Sequence, residues 1–543
     1  MKIGNLKLLI KKVPKHIWIL VLIVMIGIFL RTYHFHSWLE FRADQVRDAN
    51  LAEQVVRGES SWPLFGPHMN RSGESKGTFY HLGPIYYYFQ IISAKIFGDY
   101  PQVLAYPDVF FAILSMPLLY LFLRIYFSKN LSLSLTALYS VSSYFIHYSR
   151  FAWNSNLIPF FVLLFLFSLY KMLNNNEKMS WPWIVALGTA WGVGFQLHAI
   201  TMILFSAIVL FVFLLSIKRS SKSWKKWAVV LLIFVVLNAG QIISEMKTGF
   251  ANTKILLNFS PKSNNVPPVS KPTLLKNATD CQIEANFFFL SSYGGNNCSY
   301  GISNILSDFK VDLFSKKLPD KIYWIALLVS FLFSAAGYFL LVYYDIKEPA
   351  ERKRYFLRLI TIYAAVAFLI MIPLSVKQFD DLRYFTPVFF IPFILLGLFI
   401  KFISEKLSRK YMVFAVIIFA LLIYSNIAAI SAEASELLNK NRTCTSHSTT
   451  LGEIEPVAQY IASHSGGQKN MFVGGHRELE AAANPLIYLL RKRNLDPVGI
   501  AGDTDLNSFD QSAFIVSCRS KMTDIYSYQK IDNIYVYQAA DKQ

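Results

Sequence analysis

His81-Leu82-Gly83-Pro84-Ile85-Tyr86-Tyr87-Tyr88-Phe89-Gln90-Ile91-Ile92-Ser93-Ala94-Lys95-Ile96-Phe97 is the stretch on which the topology turns. It is apolar, but it is shorter than the roughly 20 residues a helix needs to cross a bilayer. It also opens on Gly83-Pro84 and carries Gln90 and Lys95. Three basic clusters lie between later apolar runs: Lys218, Arg219, Lys222, Lys225 and Lys226; Arg352, Lys353 and Arg354; and Lys406, Arg409 and Lys410. If 81–97 crossed the membrane, all three would fall outside, against the bias that keeps Lys and Arg in the cytoplasm. If it lies along the outer surface as an interfacial helix, all three become cytoplasmic, as do Arg124, Lys129, Lys171 and Lys178, and the C-terminus is outside.

The spans that this parity counts are the apolar runs 16–30, 104–127, 131–148, 157–173, 183–197, 199–217, 227–243, 322–344, 355–375, 384–400 and 412–432, about 11 in all. Lys2, Lys7, Lys11, Lys12 and Lys15 precede the first and place the N-terminus in the cytoplasm. Arg31, Tyr33, His34, Phe35 and Trp38 follow it where a signal peptide would show small cleavage-site residues, so it reads as a retained helix. Of 543 residues, 54% are hydrophobic, 16% aromatic and only 16% charged, against roughly 25% charged in soluble chains. A cytosolic enzyme, a disulfide-rich miniprotein and a disordered scaffold are excluded. The excess of 53 Lys+Arg over 34 Asp+Glu lies between apolar segments and sets topology; no nucleic-acid partner is expected.

The fold class is therefore a polytopic α-helical membrane protein. Residues 1–432 form the membrane domain, with outer insertions at 37–100 and 244–320. The second insertion, with Asn264-Asn265, Pro267-Pro268 and Gly294-Gly295, reads as a long irregular loop. Residues 433–543 have a soluble composition, with helical patterning at 454–462 and 485–491 and strand patterning at 471–473, 498–500, 514–516 and 534–537. They predict a small C-terminal α/β domain outside the membrane. All four cysteines then share an oxidising side, where Cys281 with Cys298 and Cys444 with Cys518 are the local pairings, free thiols in unrelated loops being the other reading.

Polar groups converge on the same face. Asp44, Arg47 and Asp48 stand at i, i+3 and i+4, which puts two carboxylates and a guanidinium on one helix face. Such a face could hold a general base, and it could equally be a solvated, ion-paired amphipathic helix. Where the third span emerges, Tyr148-Ser149-Arg150-Phe151-Ala152-Trp153-Asn154 offers a bidentate phosphate donor in Arg150 beside an interfacial aromatic, and it could equally be an ordinary arginine and aromatic anchor at a helix end. Gln196 and His198 end the fifth span, where His198 taken alone reads as a helix-end capping or packing residue sooner than as a ligand, and Lys377, Asp380, Asp381, Arg383 and Tyr384 fill a short outer loop. The substrate-binding candidates are thus Arg150, Asn154, His198, Lys377, Arg383 and Tyr384, together with His81 at the head of the interfacial segment. The spans hold few ionisable groups, which disfavours a transporter. No P-loop, HExxH, GxSxG or paired CxxC is present.

This pattern resembles the C-type (GT-C) membrane glycosyltransferases, above all bacterial relatives of the protein O-mannosyltransferases and of the lipid A aminoarabinose transferase. The resemblance covers roughly 16–400 and is carried by Asp44-Gln45-Val46-Arg47-Asp48, Pro63-Leu64-Phe65-Gly66-Pro67 and Leu82-Gly83-Pro84-Ile85-Tyr86-Tyr87-Tyr88. Tyr148-Ser149-Arg150, Trp153-Asn154-Ser155-Asn156, Gln196-Leu197-His198, and Arg383-Tyr384 with Pro387 complete it. It implies surface-parallel helices in the first outer loop and a polyprenyl-phosphate sugar donor. It also implies an acceptor that is a glycan, lipid or protein, and an inverting transfer in which Asp44 is the base, without a cofactor or a metal. Membrane lipids are the remaining partners. Two departures stand out: the Asp-Glu pair of the O-mannosyltransferases is Asp44-Gln45 here, and the acid often found after the third span is missing from 150–156. These weaken protein O-mannosylation and an oligosaccharyltransferase-like metal site. A lipid-linked saccharide flippase and a polysaccharide polymerase or ligase are the alternatives.

Overall fold

The computed structural model describes residues 14–69, 80–174, 181–219, 224–257, 270–293, 318–375, 382–406, 409–439, 449–508, 512–518 and 526–539. Helix α1 (Lys15–Thr32) starts behind Pro14 and has 18 residues, roughly 27 Å at ~1.5 Å per residue and close to the ~30 Å hydrocarbon core. In lipid, an apolar chain of this length satisfies its backbone within the helix. Trp18, Leu22, Met25 and Phe29 are exposed on its outer wall, where lipid tails would cover them.

Beyond α1 come α2 (Ala43–Val56), the two-residue strands β1 (His68–Met69) and β2 (Tyr80–His81), and α3 (Ile85–Phe97). The bundle continues with α4 (Tyr106–Leu123), α5 (Lys129–Ser140), the short α6 (Ser143–His147), α7 (Ile158–Asn174), α8 (Trp181–Leu197) and α9 (Ala199–Arg219). Then follow α10 (Trp224–Leu237), α11 (Ala239–Lys247), α12 (Ala251–Leu257), α13 (Lys271–Ser291), α14 (Leu318–Lys347), α15 (Glu351–Leu374), α16 (Ile391–Lys406) and α17 (Met412–Leu438). Among the described residues, 7 helices are long and apolar enough to cross a membrane, or up to 9 when α10 with α11, and the turn Leu382–Val388 with α16, each count as one bent span. Two of the runs expected to span fall below that length: α5 has 12 residues and is broken from α6 at 141–142, and α8 has 17. Helix α7, 78% buried along its span, is the axis of the bundle, while α1 at 17% and α17 at 11% form its rim.

The insertion at 244–320, expected to be irregular, contains α12 and α13. The sequence hid α13 because it is too polar to show a clear apolar stripe. Its polar groups meet neighbours instead of water: Asn286 donates to Ser334 of α14 at 3.1 Å, and Ser330 of α14 donates to the Ile283 carbonyl at 2.6 Å. Cys281 on this helix and Cys518 are each disulfide-bonded. Their expected partners, Cys298 and Cys444, lie outside the described residues.

After α17 the chain forms α18 (Leu451–Ser463), β3 (Asn470–Gly475), α19 (Ala483–Arg491), β4 (Asp496–Ala501), β5 (Ala513–Ser517), β6 (Tyr526–Ile531) and β7 (Ile534–Ala539). The expected C-terminal sheet is present, in the order β4-β3-β5-β7-β6. Strands β3, β4 and β5 are parallel, and β7 and β6 add an antiparallel edge. Every residue of β5 is buried, as a central parallel strand requires. Strand β6 escaped the sequence reading because Ser527, Gln529 and Lys530 are exposed; a charged edge of this kind deters pairing with other chains.

Candidate active site

Helix α2 begins after extended Arg42, whose backbone N–H donates to the Gln45 side chain at 3.1 Å. Val46, Ala49, Ala52 and Val55 form its buried face, so Asp44 is left on the open one with its side chain 63% exposed. Arg47 donates to Asp44 at 2.9 Å and to Asp48 at 2.8 Å, and the Tyr87 hydroxyl of α3 donates to Asp48 at 3.1 Å. The i, i+3, i+4 spacing therefore yields one connected triad with unequal members. Asp48 is buried, and burial pushes its carboxyl up to about 6 against the opposing pull of Arg47 and Tyr87. Asp44 is the carboxylate that an incoming molecule can touch.

Gln45 ties this helix to the next element by donating to the Ala152 carbonyl at 3.0 Å. The adjacent Trp153 N–H donates to Asp108 at 3.1 Å, and Tyr86 donates to the same carboxylate at 3.1 Å. Asp108 is fully buried at the head of α4, and the sequence reading passed over it. Its signal was a carboxylate inside an otherwise apolar run, where ionisable groups are costly and have a purpose. The Asp108 carboxylate of α4 thus meets the segment that follows the third expected span. Asn154 donates to the Leu197 carbonyl and holds the segment against the end of α8. Arg150 turns toward α1: it donates to the carbonyls of Leu30 at 3.0 Å and Tyr33 at 2.6 Å and lies 5.4 Å from the Trp38 ring. Its guanidinium serves the negative end of that helix.

A small cleft lies beside this segment, among Tyr144, Tyr148, Trp153, Asn156, Arg383 and Thr386. Arg383 sits over Trp153 at 4.7 Å and over Tyr384 at 5.4 Å, and the Tyr384 ring is 6.1 Å from His198. Burial, with the Arg383 cation nearby, lowers the His198 imidazole to about 4, so it is neutral at physiological pH. Its Nδ1 accepts from the Ile200 N–H at 3.2 Å. His198, Arg383 and Tyr384 are thus brought together. His81 belongs to a different corner: its backbone pairs with the Asn252 side chain at 2.7 and 2.9 Å, and its ring is 5.4 Å from Phe65. There the two Gly-Pro motifs meet, with Gly66 N–H on the Leu82 carbonyl at 2.8 Å. A Cβ on Gly83 would stand 2.2 Å from Gln196, so only glycine lets this loop reach the end of α8. Lys377, Asp380 and Asp381 lie outside the described residues.

A family described as dolichyl-phosphate-mannose-protein mannosyltransferase matches residues 81–240. No curated protein matches the chain in sequence. Among solved structures, ArnT from Cupriavidus metallidurans in the apo state is 13% identical, with 95% of this chain and 97% of that one covered and a TM-score of 0.41. The apo oligosaccharyltransferase of Archaeoglobus fulgidus is 14% identical over 92% of this chain and 69% of that one, with a TM-score of 0.51. The archaeal oligosaccharyltransferase AglB, also from Archaeoglobus fulgidus, in complex with an inhibitory peptide and a dolichol-phosphate, superposes with a TM-score of 0.50 at 14% identity, covering 97% and 74% of the two chains. The chain has the GT-C membrane glycosyltransferase fold. Within this GT-C fold the stretch 81–240 runs from β2 to the start of α11 and takes in Arg150, Asn154 and His198. Asp44 and Arg383 fall outside it.

Proposed function

We propose that the protein transfers a sugar from a polyprenyl-phosphate donor to an acceptor hydroxyl at the outer face of the membrane, with inversion at the anomeric carbon. The observation that carries this reading is the position of Asp44. It is an exposed carboxylate oriented by Arg47, and Gln45, Ala152 and Trp153 link its helix in two steps to the Arg383 cleft. In the reaction, Asp44 accepts the acceptor's proton as its oxygen bonds to the anomeric carbon. The bond from that carbon to the phosphate oxygen breaks, and polyprenyl phosphate leaves. The phosphate is already a competent leaving group, so the chain's work is alignment, proton acceptance and charge neutralisation. Arg383 is the cation placed to meet the phosphate, and the aromatic walls of the cleft suit a sugar ring or the first isoprene unit. The dolichol-phosphate in the archaeal complex is a carrier of the same chemical class.

Incubating purified protein with a labelled short-chain polyprenyl-phosphate sugar and membrane extract tests the reading. A new glycosidic bond supports it. Translocation without bond formation would replace it with a flippase, and a requirement for a diphosphate-linked donor with a polymerase or ligase.

The reading also fixes sidedness, with the N-terminus cytoplasmic and the C-terminal sheet outside, because that arrangement keeps the basic clusters inside. In intact cells, Ser463→Cys on exposed α18 should react with an impermeant thiol reagent while Lys225→Cys at the start of α10 is protected. The reverse pattern would invert the topology and remove an outward-facing site.

A further inference from the structure

We infer that Arg31 is a positioning residue, which keeps α5 and α6 from joining into one straight helix and thereby shapes the aromatic cleft. The identity of the cleft's ligand rests on the donor reading above. Arg31 lies in the last turn of α1, fully buried in the bundle, and among the described residues no carboxylate pairs with it. Its Nη1 donates to the Ser140 carbonyl at 2.9 Å and to the Gly27 carbonyl at 3.2 Å. Ser140 is the last residue of α5, where unsatisfied carbonyls carry the negative end of the helix.

In an uninterrupted helix the Ser140 carbonyl would accept from the N–H of Tyr144, and that of Tyr139 from Ser143. Both bonds are replaced. Arg31 takes the Ser140 carbonyl, while the Tyr144 N–H goes to Ser292 Oγ at 3.4 Å and the Ser143 N–H to Asn426 Oδ1 at 3.1 Å. Ser292 caps α13 in the left-handed region at φ 51°, and its hydroxyl also donates to Asn426 at 2.7 Å. The break is thus held at both ends, by α1 on the carbonyl side and by α13 and α17 on the amide side. It re-aims Tyr144, Phe145 and Tyr148, all of which line the cleft. Gly27 makes the approach possible, since a Cβ there would stand 2.4 Å from Met116 Sδ of α4.

In full-length protein in nanodiscs, Arg31→Met should let the helix run on. Amides of 143–148 should then exchange more slowly with deuterium, and KM for a farnesyl-phosphate-linked sugar should rise by about tenfold to a hundredfold with kcat changed far less. Ser292→Ala, acting at the other end of the same bond and milder for folding, should move both readouts in the same direction. Arg31→Lys, which keeps a donor and a charge, should restore much of KM. A residue that merely stabilised the fold would lower the active fraction, and so kcat, at unchanged KM. Unaltered exchange at 143–148 in both Arg31→Met and Ser292→Ala would overturn the inference. Failure of wild-type protein to bind farnesyl phosphate would instead sink the donor reading, because hydrogen exchange needs no donor.

Discussion

Asp44→Asn is expected to lower sugar transfer by about 10²–10⁴-fold while leaving binding of a short-chain polyprenyl phosphate nearly unchanged. Asparagine keeps the shape and can still accept from Arg47, so the helix and its ion-pair partner stay in place, but it cannot take up the acceptor's proton. The neighbouring Asp48→Asn should cost less, because Asp48 is buried and acts on Arg47 rather than on the acceptor. The pH profile separates the two. With the Asp48 carboxyl at about 6, lowering the pH through 6 protonates it and weakens its hold on Arg47, so wild-type transfer should fall on the acid side there. That inflection should vanish in Asp48→Asn. Near-wild-type turnover by folded Asp44→Asn would leave α2 as an ion-paired surface helix with no part in proton transfer.

Tyr488→Ala is expected to cost about 3–5 kcal/mol, the range for removing a large buried aromatic, and to loosen α2 from a distance. Tyr488 is 2% exposed on α19, and its ring lies 5.4 Å from Phe41 at the entry to α2. Val46, Ala49 and Val55 of α2 share one apolar core with Leu486, Leu489 and Leu490 of α19. Two backbone bonds add to the junction, Leu451 N–H to the Leu39 carbonyl at 2.8 Å and Gly452 N–H to the Ser37 carbonyl at 3.1 Å. Lys492 adds a largely buried ion pair to the junction, meeting Glu53 at 3.2 Å and Asp99 at 2.5 Å. Hydrogen exchange in α2 should accelerate strongly in Tyr488→Ala. Unchanged α2 exchange in Tyr488→Ala would mean that the C-terminal sheet is tethered to the membrane part rather than built into it.

Apolar runs made most of the bundle readable in the sequence, because lipid leaves the backbone little choice but helix. The helix bearing Asp44 was readable from charge spacing, and four of the five C-terminal strands from their apolar cores. What escaped is what depends on a partner. Helix α13 is polar and gains its burial from its neighbours, α14, α15, α16 and α17 among them. Asp108 looks like an intruder in a span until Trp153 and Tyr86 are seen around it. Arg150 was read as a phosphate ligand because a guanidinium suits one, yet sequence carries no direction for a side chain, and in the fold it reaches back to α1. The break at 141–142 has no proline or glycine to announce it, since it is made by side chains from three other helices.

The core that joins α2 to α19 also sets an order of assembly. His36 and Glu455, which pair across this junction at 2.8 Å, are separated by 419 positions. At ~5–20 residues per second of synthesis, the second partner is made roughly 20–80 s after the first. For that interval Phe41, Val46 and Val55 lack the α19 side of their core, and the helix presenting Asp44 is held by α3 and the 151–153 segment. A chain released early would display an adhesive apolar patch where α19 packs in the finished fold.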